Sequence, residues 1–195
     1  MALSAPAPRR AMHTRRIVCE GWLRDDGLWD IEASIVDTKA YAYREPERGH
    51  REIGSPVHDM SVRLTIDTGM VVRAIEVSMN QHPYQVCLGA PPAFQGLVGQ
   101  RVGPGWRKAV QACVGGVRGC THVRELLFPM ATVAFQTLSG WPVDDGTDQP
   151  VRVDGESTGF LDGCTAWDRR GEMVARLYPH WALPARGEGE GEAQG

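Results

Sequence analysis

The apolar residues of this chain change their spacing near Cys87, and this change constrains the fold more than any other feature. Before it, apolar and polar residues alternate, most clearly in the series Trp29-Ile31-Ala33-Ile35 and Val62-Leu64-Ile66. Because successive side chains of a strand point to opposite faces, a period of two predicts strands with one buried face. We therefore predict a β-sheet over about residues 14–79.

Turn residues between these stretches indicate how the strands connect. Asp25-Asp26-Gly27 and Asp67-Thr68-Gly69 contain residues that tolerate positive φ, and such turns reverse antiparallel strands within a few residues. Two hairpins are therefore predicted: residues 16–24 with 28–37, and residues 61–67 with 71–79. Residues 45–56 are charged and lack an apolar period, so we predict a surface loop between the hairpins.

After Cys87 the apolar residues recur three and four positions apart, which indicates helices. The clearest series are Phe94-Leu97-Val98, Trp106-Val110-Cys113 and Val123-Leu126-Leu127-Met130. Pro129 lacks an N–H, so we expect the helix from Thr121 to kink there or to restart with Pro129 in its first turn. Residues 159–180 fit either strand-turn-strand or strand-turn-helix. The predicted fold class is α+β: an antiparallel sheet from the N-terminal half packed against helices from the C-terminal half.

A chain of 195 residues with 42% hydrophobic residues buries a full core without disulfides or a structural metal. We predict one α+β domain over residues 13–183. The Ala/Pro-rich residues 1–12 are expected to form a flexible arm. The Gly/Glu-rich residues 184–195 are expected to be disordered, because they offer almost no apolar surface to offset the entropy of ordering.

Charge and composition exclude several partners. The chain has 21 basic and 24 acidic residues and no dense Lys/Arg block, so we expect no nucleic-acid binding. No apolar run reaches the roughly 20 residues that cross a bilayer. Five cysteines without a CxxC pair favour a reducing cytoplasm. A P-loop and a dinucleotide fingerprint are both absent, so neither ATP nor NAD is expected as cofactor. The oligomeric state stays open.

The stretch from Gly115 to Glu125 is the strongest candidate for a functional site. A glycine-rich turn delivers Cys120, His122 and Glu125 to the start of a predicted helix. A helix start favours a thiolate through its unpaired N–H groups and partial positive charge, and His122 and Glu125 share one helical face. If the site is catalytic, either Cys120 or a metal-bound water is the nucleophile, His122 is a ligand or base, and Glu125 is an acid/base partner.

Thiolates and imidazoles together also predict a metal site. We name Cys87, Cys120, His122 and His58 as ligands, with Cys164 as an alternative to His58 as the further ligand, and zinc or iron as the metal. Each cysteine also has a simpler interpretation as a small buried hydrophobe. His58 has one as well, because its imidazole can bond a backbone carbonyl and orient Asp59.

Several ordered motifs resemble the bacterial family called domain of unknown function 2889. They span about residues 12–179 and comprise Asp26-Gly27-Leu28-Trp29-Asp30-Ile31-Glu32, His58-Asp59-Met60, Pro83-Tyr84 with Cys87, Gly105-Trp106, and Gly119-Cys120-Thr121-His122 with Glu125-Leu126-Leu127. The resemblance implies that these positions belong together, and it implies no substrate.

A second resemblance is to the U-type iron–sulfur cluster scaffold proteins, which also pass from an antiparallel sheet into helices. The matching elements are Cys87 after a strand, Leu97-Val98-Gly99, and Cys120-Thr121-His122 opening a long helix. Gly89 stands where the scaffold has an aspartate, and Cys113 matches no ligand position.

We therefore expect a metal-binding or thiol-dependent protein of bacterial small-molecule metabolism, either an enzyme or an accessory protein for a metal centre. The alternative is a non-catalytic module that binds a small ligand or a partner protein and whose Cys and His residues are structural. Its pocket would be lined by tryptophan and methionine, drawn from Trp22, Trp29, Met60, Met79 and Met130.

Overall fold

The computed structural model describes residues 3–139 and 161–184. Six strands lie in the first half of this described part. In chain order they are β1 (His13–Leu23), β2 (Trp29–Lys39), β3 (Tyr43–Glu45), β4 (Gly49–Arg51), β5 (Pro56–Ile66) and β6 (Val72–Gln81). β1, β2, β5 and β6 form one antiparallel sheet in that spatial order, and β3 pairs with β4. Both predicted hairpins are therefore confirmed, each with longer strands than predicted.

The turn between β1 and β2 forms for the reason that the sequence suggests. Gly27 has a φ of 80°, in the region that favours glycine. The side chain of Asp26 accepts a hydrogen bond from the N–H of Leu28 at 3.2 Å. β1 and β2 then pair over eleven residues without a register shift.

The predicted surface loop at residues 45–56 is wrong in part, because it contains most of the small β3–β4 hairpin. A charged residue is buried here: Glu45 is 6% exposed and bonds Arg48 and the hydroxyl of Tyr43. Ion pairing, instead of apolar alternation, stabilises this hairpin. The apolar pattern therefore carried no signal for it.

Helices cover one face of the four-stranded sheet. They are α1 (Trp106–Val114) and α2 (Thr121–Ser139), and the short 3₁₀ helices Gln85–Gly89 and Pro91–Leu97 precede them. α2 continues through Pro129 without restarting. It packs on β1, β2 and β5, and the predicted α+β architecture is confirmed.

The core lies between the sheet and these helices. Trp29, Ile31, Ala33 and Ile35 of β2 are at most 5% exposed, whereas the residues between them are half-buried. The approach of α2 is close enough that a Cβ at Gly21 of β1 would lie 2.0 Å from the Thr137 hydroxyl. A glycine on this strand is thus required for α2 to dock.

The chain divides into two units, Met1–Val153 and Asp154–Gly195. The second contains α3 (Glu172–Leu177) and short 3₁₀ turns at Thr165–Trp167 and Pro179–Trp181. The helix fits the strand-turn-helix alternative, but the described part, residues 161–184, contains no strand. The single-domain assignment of residues 13–183 stays a prediction.

Residues 3–12 form neither helix nor strand, and the flexible arm over residues 1–12 stays a prediction. The predicted tail lies outside the described residues from position 185 onward. Within the described ranges, every helix is too short or too polar to cross a bilayer.

Candidate functional site

Three ionisable residues are direct neighbours across three strands at one end of the sheet. β1 sets Arg15 opposite Asp37 of β2, and β5 sets His58 opposite the same aspartate. Asp37 continues the buried alternation of β2 and is only 1% exposed. A bulge between Asp37 and Thr38 interrupts the β2–β5 pairing, a feature that is common beside functional sites.

Asp37 accepts hydrogen bonds from both of these neighbours. The Arg15 guanidinium is bidentate, with Nε to Oδ1 at 2.8 Å and Nη2 to Oδ2 at 2.7 Å. His58 donates from Nδ1 to Oδ2 at 2.9 Å, and His13 Nε2 lies 3.3 Å from Oδ1. The carboxylate thus has a partner at each of its roughly four lone-pair positions.

The charge on Asp37 is stable despite its burial. Burial alone would raise the pKa of this carboxyl, but the hydrogen bond and charge of Arg15, with the contribution of His58, outweigh it and lower the pKa below its ordinary value. Asp37 is therefore ionised at neutral pH and can only accept hydrogen bonds. This fixes the proton of His58 on Nδ1 and leaves the Nε2 lone pair available.

The first turn of α2 supplies the other half of the site. Arg124 N donates to Cys120 O at 2.9 Å, so Cys120 directly precedes α2 and accepts its first helical hydrogen bond. The ring of His122 lies on that of His58, with centroids 3.7 Å apart and planes tilted by 30°. Cys120 Sγ lies 3.9 Å from His122 Nδ1 and 3.9 Å from Met60 Sδ.

Both imidazoles are kept neutral by their surroundings. Burial is the largest cause that lowers the pKa of His58, and it outweighs the opposing effect of Asp37. Burial likewise lowers the pKa of His122, and the charges of His58 and Arg15 add to it. Neutral imidazole is the form that binds metal ions or acts as a general base.

A second buried ion pair borders the site from the β3–β4 hairpin. Arg48 binds Glu45, donates to Val57 O at 3.0 Å and donates to the side chain of Gln81 at 3.1 Å. Its charge contributes to the lowered pKa of His58. The hairpin thus places a fixed cation beside the imidazoles.

Asp37, His58 and His122 each offer a ligand atom within 4.8 Å of the others. Two imidazoles and a carboxylate are a donor set that suits zinc or iron(II). Since the oxygens of Asp37 are already bonded by Arg15 and His58, its geometry is that of a carboxylate that orients a metal-binding histidine.

Of the residues predicted from sequence, His58 and His122 are in this group, and Cys120 lies 3.9 Å from His122 but outside the group. Cys87 lies in the 3₁₀ helix Gln85–Gly89, half-buried against the core, and is not in the group of Asp37, His58 and His122. Glu125 is 45% exposed and accepts a hydrogen bond from Arg124. Its charge also acts on Arg15. Cys164 belongs to the C-terminal unit and is exposed.

Two further interpretations of the sequence can be compared with the structure. His58 bonds the carboxylate of Asp37 and not a backbone carbonyl. Trp29, Met60, Met79 and Met130 are all buried in the core, so they pack against other apolar side chains instead of lining an open pocket. A shallow groove of about 280 Å³ lies on the opposite face of the sheet, and three serines in register line it: Ser34, Ser61 and Ser78.

Sequence reasoning missed Asp37 and Arg15. The signal was present, because position 37 falls on the period of two that runs from Trp29 to Ile35. A carboxylate on the apolar face of a strand requires a partner. The turn at Asp26-Gly27 sets the register of the β1–β2 hairpin, and that register places Arg15 opposite Asp37.

The model of the family described as "Protein of unknown function (DUF2889)" matches residues 13–136. The chain belongs to this family. The DUF2889 match contains every residue of the site described above, from Arg15 to His122. Comparison with curated proteins and with solved structures gave no match, so the resemblance to iron–sulfur scaffold proteins has no support from a structural neighbour.

Proposed function

We propose that this DUF2889 protein binds one zinc or iron(II) ion through His58, His122 and Cys120. In this proposal it acts in the bacterial cytoplasm, as an enzyme or as an accessory protein for a metal centre in small-molecule metabolism. The observation that carries the proposal is the meeting of two neutral imidazoles, of which His58 is held by the buried carboxylate of Asp37 and His122 has the thiol of Cys120 3.9 Å from its Nδ1.

The bond from His58 to Asp37 supports His58 as a ligand. A histidine that binds metal commonly donates its other ring N–H to a carboxylate, which fixes the tautomer and makes the free nitrogen more basic. His58 Nδ1 donates to Asp37 at 2.9 Å. Its Nε2 then has the lone pair that a metal requires.

The spacing of Cys120 and His122 supports them as a ligand pair. With metal–sulfur and metal–nitrogen bonds of about 2.3 and 2.0 Å, two ligands of a tetrahedral zinc ion are roughly 3.5 Å apart. Cys120 Sγ and His122 Nδ1 are 3.9 Å apart. A small side-chain adjustment brings both atoms to one ion.

Three protein ligands leave one coordination position for water or substrate, which is the arrangement of catalytic zinc sites. Arg15 bonds Asp37 beside the ligands, and the charge of Glu125 acts on Arg15. In an enzyme, Glu125 would exchange a proton with the substrate while Arg15 would keep Asp37 ionised. The reaction class that fits is metal-assisted hydrolysis.

A second candidate function uses the same residues without a metal. The distance of 3.9 Å between Cys120 Sγ and His122 Nδ1 suits a thiol whose proton is taken by a neighbouring imidazole. Cys120 would then be the nucleophile, with His122 as general base.

Cobalt(II) titration of the full-length protein separates these candidates, because thiolate ligation of cobalt gives an intense near-ultraviolet absorption. We expect stoichiometric binding in the wild type, loss of that absorption in Cys120→Ala, and loss of tight binding in His122→Asn. Cys113→Ala is the matched control, because Cys113 is also half-buried but its thiol donates to Ala93 O, away from the two histidines.

Iodoacetamide alkylation of the metal-free protein tests the second candidate. Rapid alkylation of Cys120 at pH 7 that slows in His122→Asn, together with no cobalt binding, would support the thiol mechanism over the metal. If the protein does not bind cobalt and Cys120 is unreactive, both candidates are wrong and the non-catalytic module is favoured.

A further inference from the structure

β1 is an edge strand with an unusually complete free edge. It spans eleven residues, pairs with β2 without a bulge, and has no other strand beside it among the described residues. It contains neither proline nor lysine. Proteins commonly use prolines, lysines and bulges to keep edge strands from pairing with other chains, and β1 has none of these three features.

Hydrogen bonds at both ends of β1 define which backbone groups face outward. Arg24 N donates to Leu28 O at 2.9 Å, and Ala40 N donates to Met12 O at 3.1 Å. The even-numbered residues of β1 therefore bond β2. In an antiparallel ladder the bonded positions alternate, so the odd-numbered residues direct their N–H and C=O groups to the free edge.

Four large apolar side chains of β1 are exposed. Ile17, Val18, Trp22 and Leu23 are 43%, 52%, 52% and 44% exposed. Val18 and Trp22 lie on the outer face of the sheet, whereas Ile17 and Leu23 lie on the helix-covered face, opposite the buried Ile35 and Trp29 of β2. A strand added beside β1 would therefore cover exposed apolar side chains on both faces of the sheet.

Two charges of opposite sign flank the centre of the strand. Arg16 and Glu20 lie two residues on either side of Val18, on the same face. Neither forms an ion pair with another side chain in residues 3–139 or 161–184. Glu20 lies directly opposite Glu32 of β2, and like charges at such positions are unfavourable.

We infer that β1 pairs with β1 of a second copy of this chain, antiparallel, with Val18 on the two-fold axis. This register sets Arg16 of each copy opposite Glu20 of the other. In this register all eleven residues of β1 lie opposite residues of the second copy. The odd-numbered residues, whose backbone groups face outward, form the hydrogen bonds; Ile17, for example, bonds Cys19 of the second copy. Moving the axis to position 17 or 19 sets both charges opposite uncharged residues.

The inferred dimer has one continuous eight-stranded sheet and forms up to about 12 new backbone hydrogen bonds. β-strand addition of this kind derives affinity from the main chain and specificity from alternate side chains. An isologous two-fold contact is also the commonest form of homo-oligomer interface. The inference does not depend on the metal site.

Sedimentation equilibrium of the full-length chain over a range of micromolar concentrations tests this inference. We expect a species of twice the 21.4 kDa chain mass. Arg16→Glu sets two like-charged pairs across the axis and should weaken dimerisation about tenfold or more. The double variant Arg16→Glu/Glu20→Arg restores both opposite-charge pairs and should recover the wild-type dimer.

Amide hydrogen exchange gives an independent readout. Ile17 and Cys19 should be protected in the wild-type dimer and exchange rapidly in Arg16→Glu, while Val18, which bonds β2, stays protected in both. Circular dichroism checks that each variant is folded. A wild type that is monomeric throughout, or a dimer that Arg16→Glu leaves unchanged, would overturn the inference.

Discussion

The two faces of the four-stranded sheet have similar charged residues in opposite surroundings. On the outer face, Arg63 bonds Glu32 at 2.7 Å and lies 3.3 Å from Glu76, and the three side chains are 38–71% exposed. On the helix-covered face, Arg15 bonds Asp37, whose side chain is only 2% exposed. Solvent reaches one group of charges and is almost excluded from the aspartate of the other.

Burial decides what each group can do. Exposed ion pairs contribute little because water and salt screen them. A buried carboxylate depends on its partners for its charge, and it in turn fixes the proton of any histidine that it bonds. The Arg15–Asp37–His58 row can therefore organise a functional site, whereas the Glu32–Arg63–Glu76 row is sufficiently explained as a solvated surface.

The largest expected effect comes from replacing Arg15 by methionine. Breaking a buried ion pair by removing one partner costs about 3–5 kcal/mol, and because the Arg15 side chain is 39% exposed we expect about 2 kcal/mol. Urea unfolding of the metal-free protein measures the loss. The matched substitution on the outer face, Arg63→Met, should cost less than about 0.5 kcal/mol. Equal losses for the two variants would show that burial is not the difference.

The next effect tests whether Asp37 orients a ligand. Asp37→Asn should weaken cobalt or zinc binding about tenfold, or about 1.4 kcal/mol, because an amide is a weaker acceptor for His58 Nδ1–H. Isothermal titration calorimetry with zinc measures the affinity of Asp37→Asn, of the wild type and of the control Asp30→Asn. Asp30→Asn, on the outer face, should bind zinc as the wild type does; if it loses as much affinity, Asp37 has no special role.

Acid should destabilise the folded protein through the two buried histidines at the helix-covered face of the sheet. The pKa values of His58 and His122 are lowered in the folded protein, whereas unfolded histidine titrates near 6.5. As pH falls below about 6.5, the unfolded chain therefore takes up protons that the folded chain resists, and the free energy of unfolding decreases. Between pH 7 and pH 5 we expect a loss of about 1 kcal/mol in the metal-free protein.

Urea unfolding at pH 7, 6 and 5 measures this dependence, and His122→Asn should reduce it. His50→Asn is the control, because its side chain is 62% exposed and its replacement removes no buried imidazole. A second loss is expected below about pH 3.9, since the folded pKa of Asp37 is also lowered. Stability that increases between pH 7 and pH 5 would contradict the burial of both histidines.

The same comparison explains how much could be predicted from the sequence. Alternation and turn residues predicted the sheet and its hairpins, because burial of one face imposes a period of two. His58, Cys120 and His122 were named from residue type. Asp37 was not, because its role follows from the register of three strands, which no single segment of the sequence contains.

The β3–β4 hairpin was missed for a related physical reason. Its contacts are the bonds of Glu45 to Arg48 and Tyr43, and ion pairs leave no hydrophobic periodicity. The two features that sequence reasoning missed, this hairpin and the Arg15–Asp37 pair, both depend on buried charges. Buried charges are specified by tertiary partners, and local pattern describes them poorly.

The smallest predicted effect on stability comes from replacing Glu32 on the outer face. Glu32→Gln removes the carboxylate that Arg63 bonds at 2.7 Å, yet both side chains are about 40% exposed. It also removes the like-charge contact with Glu20. We expect a loss of about 0.5 kcal/mol at low ionic strength that disappears near 0.5 M salt, because exposed charges are screened. Urea unfolding at both salt concentrations measures it. A loss above about 1.5 kcal/mol that salt leaves unchanged would mean that the outer face, like Asp37, holds its charges away from water.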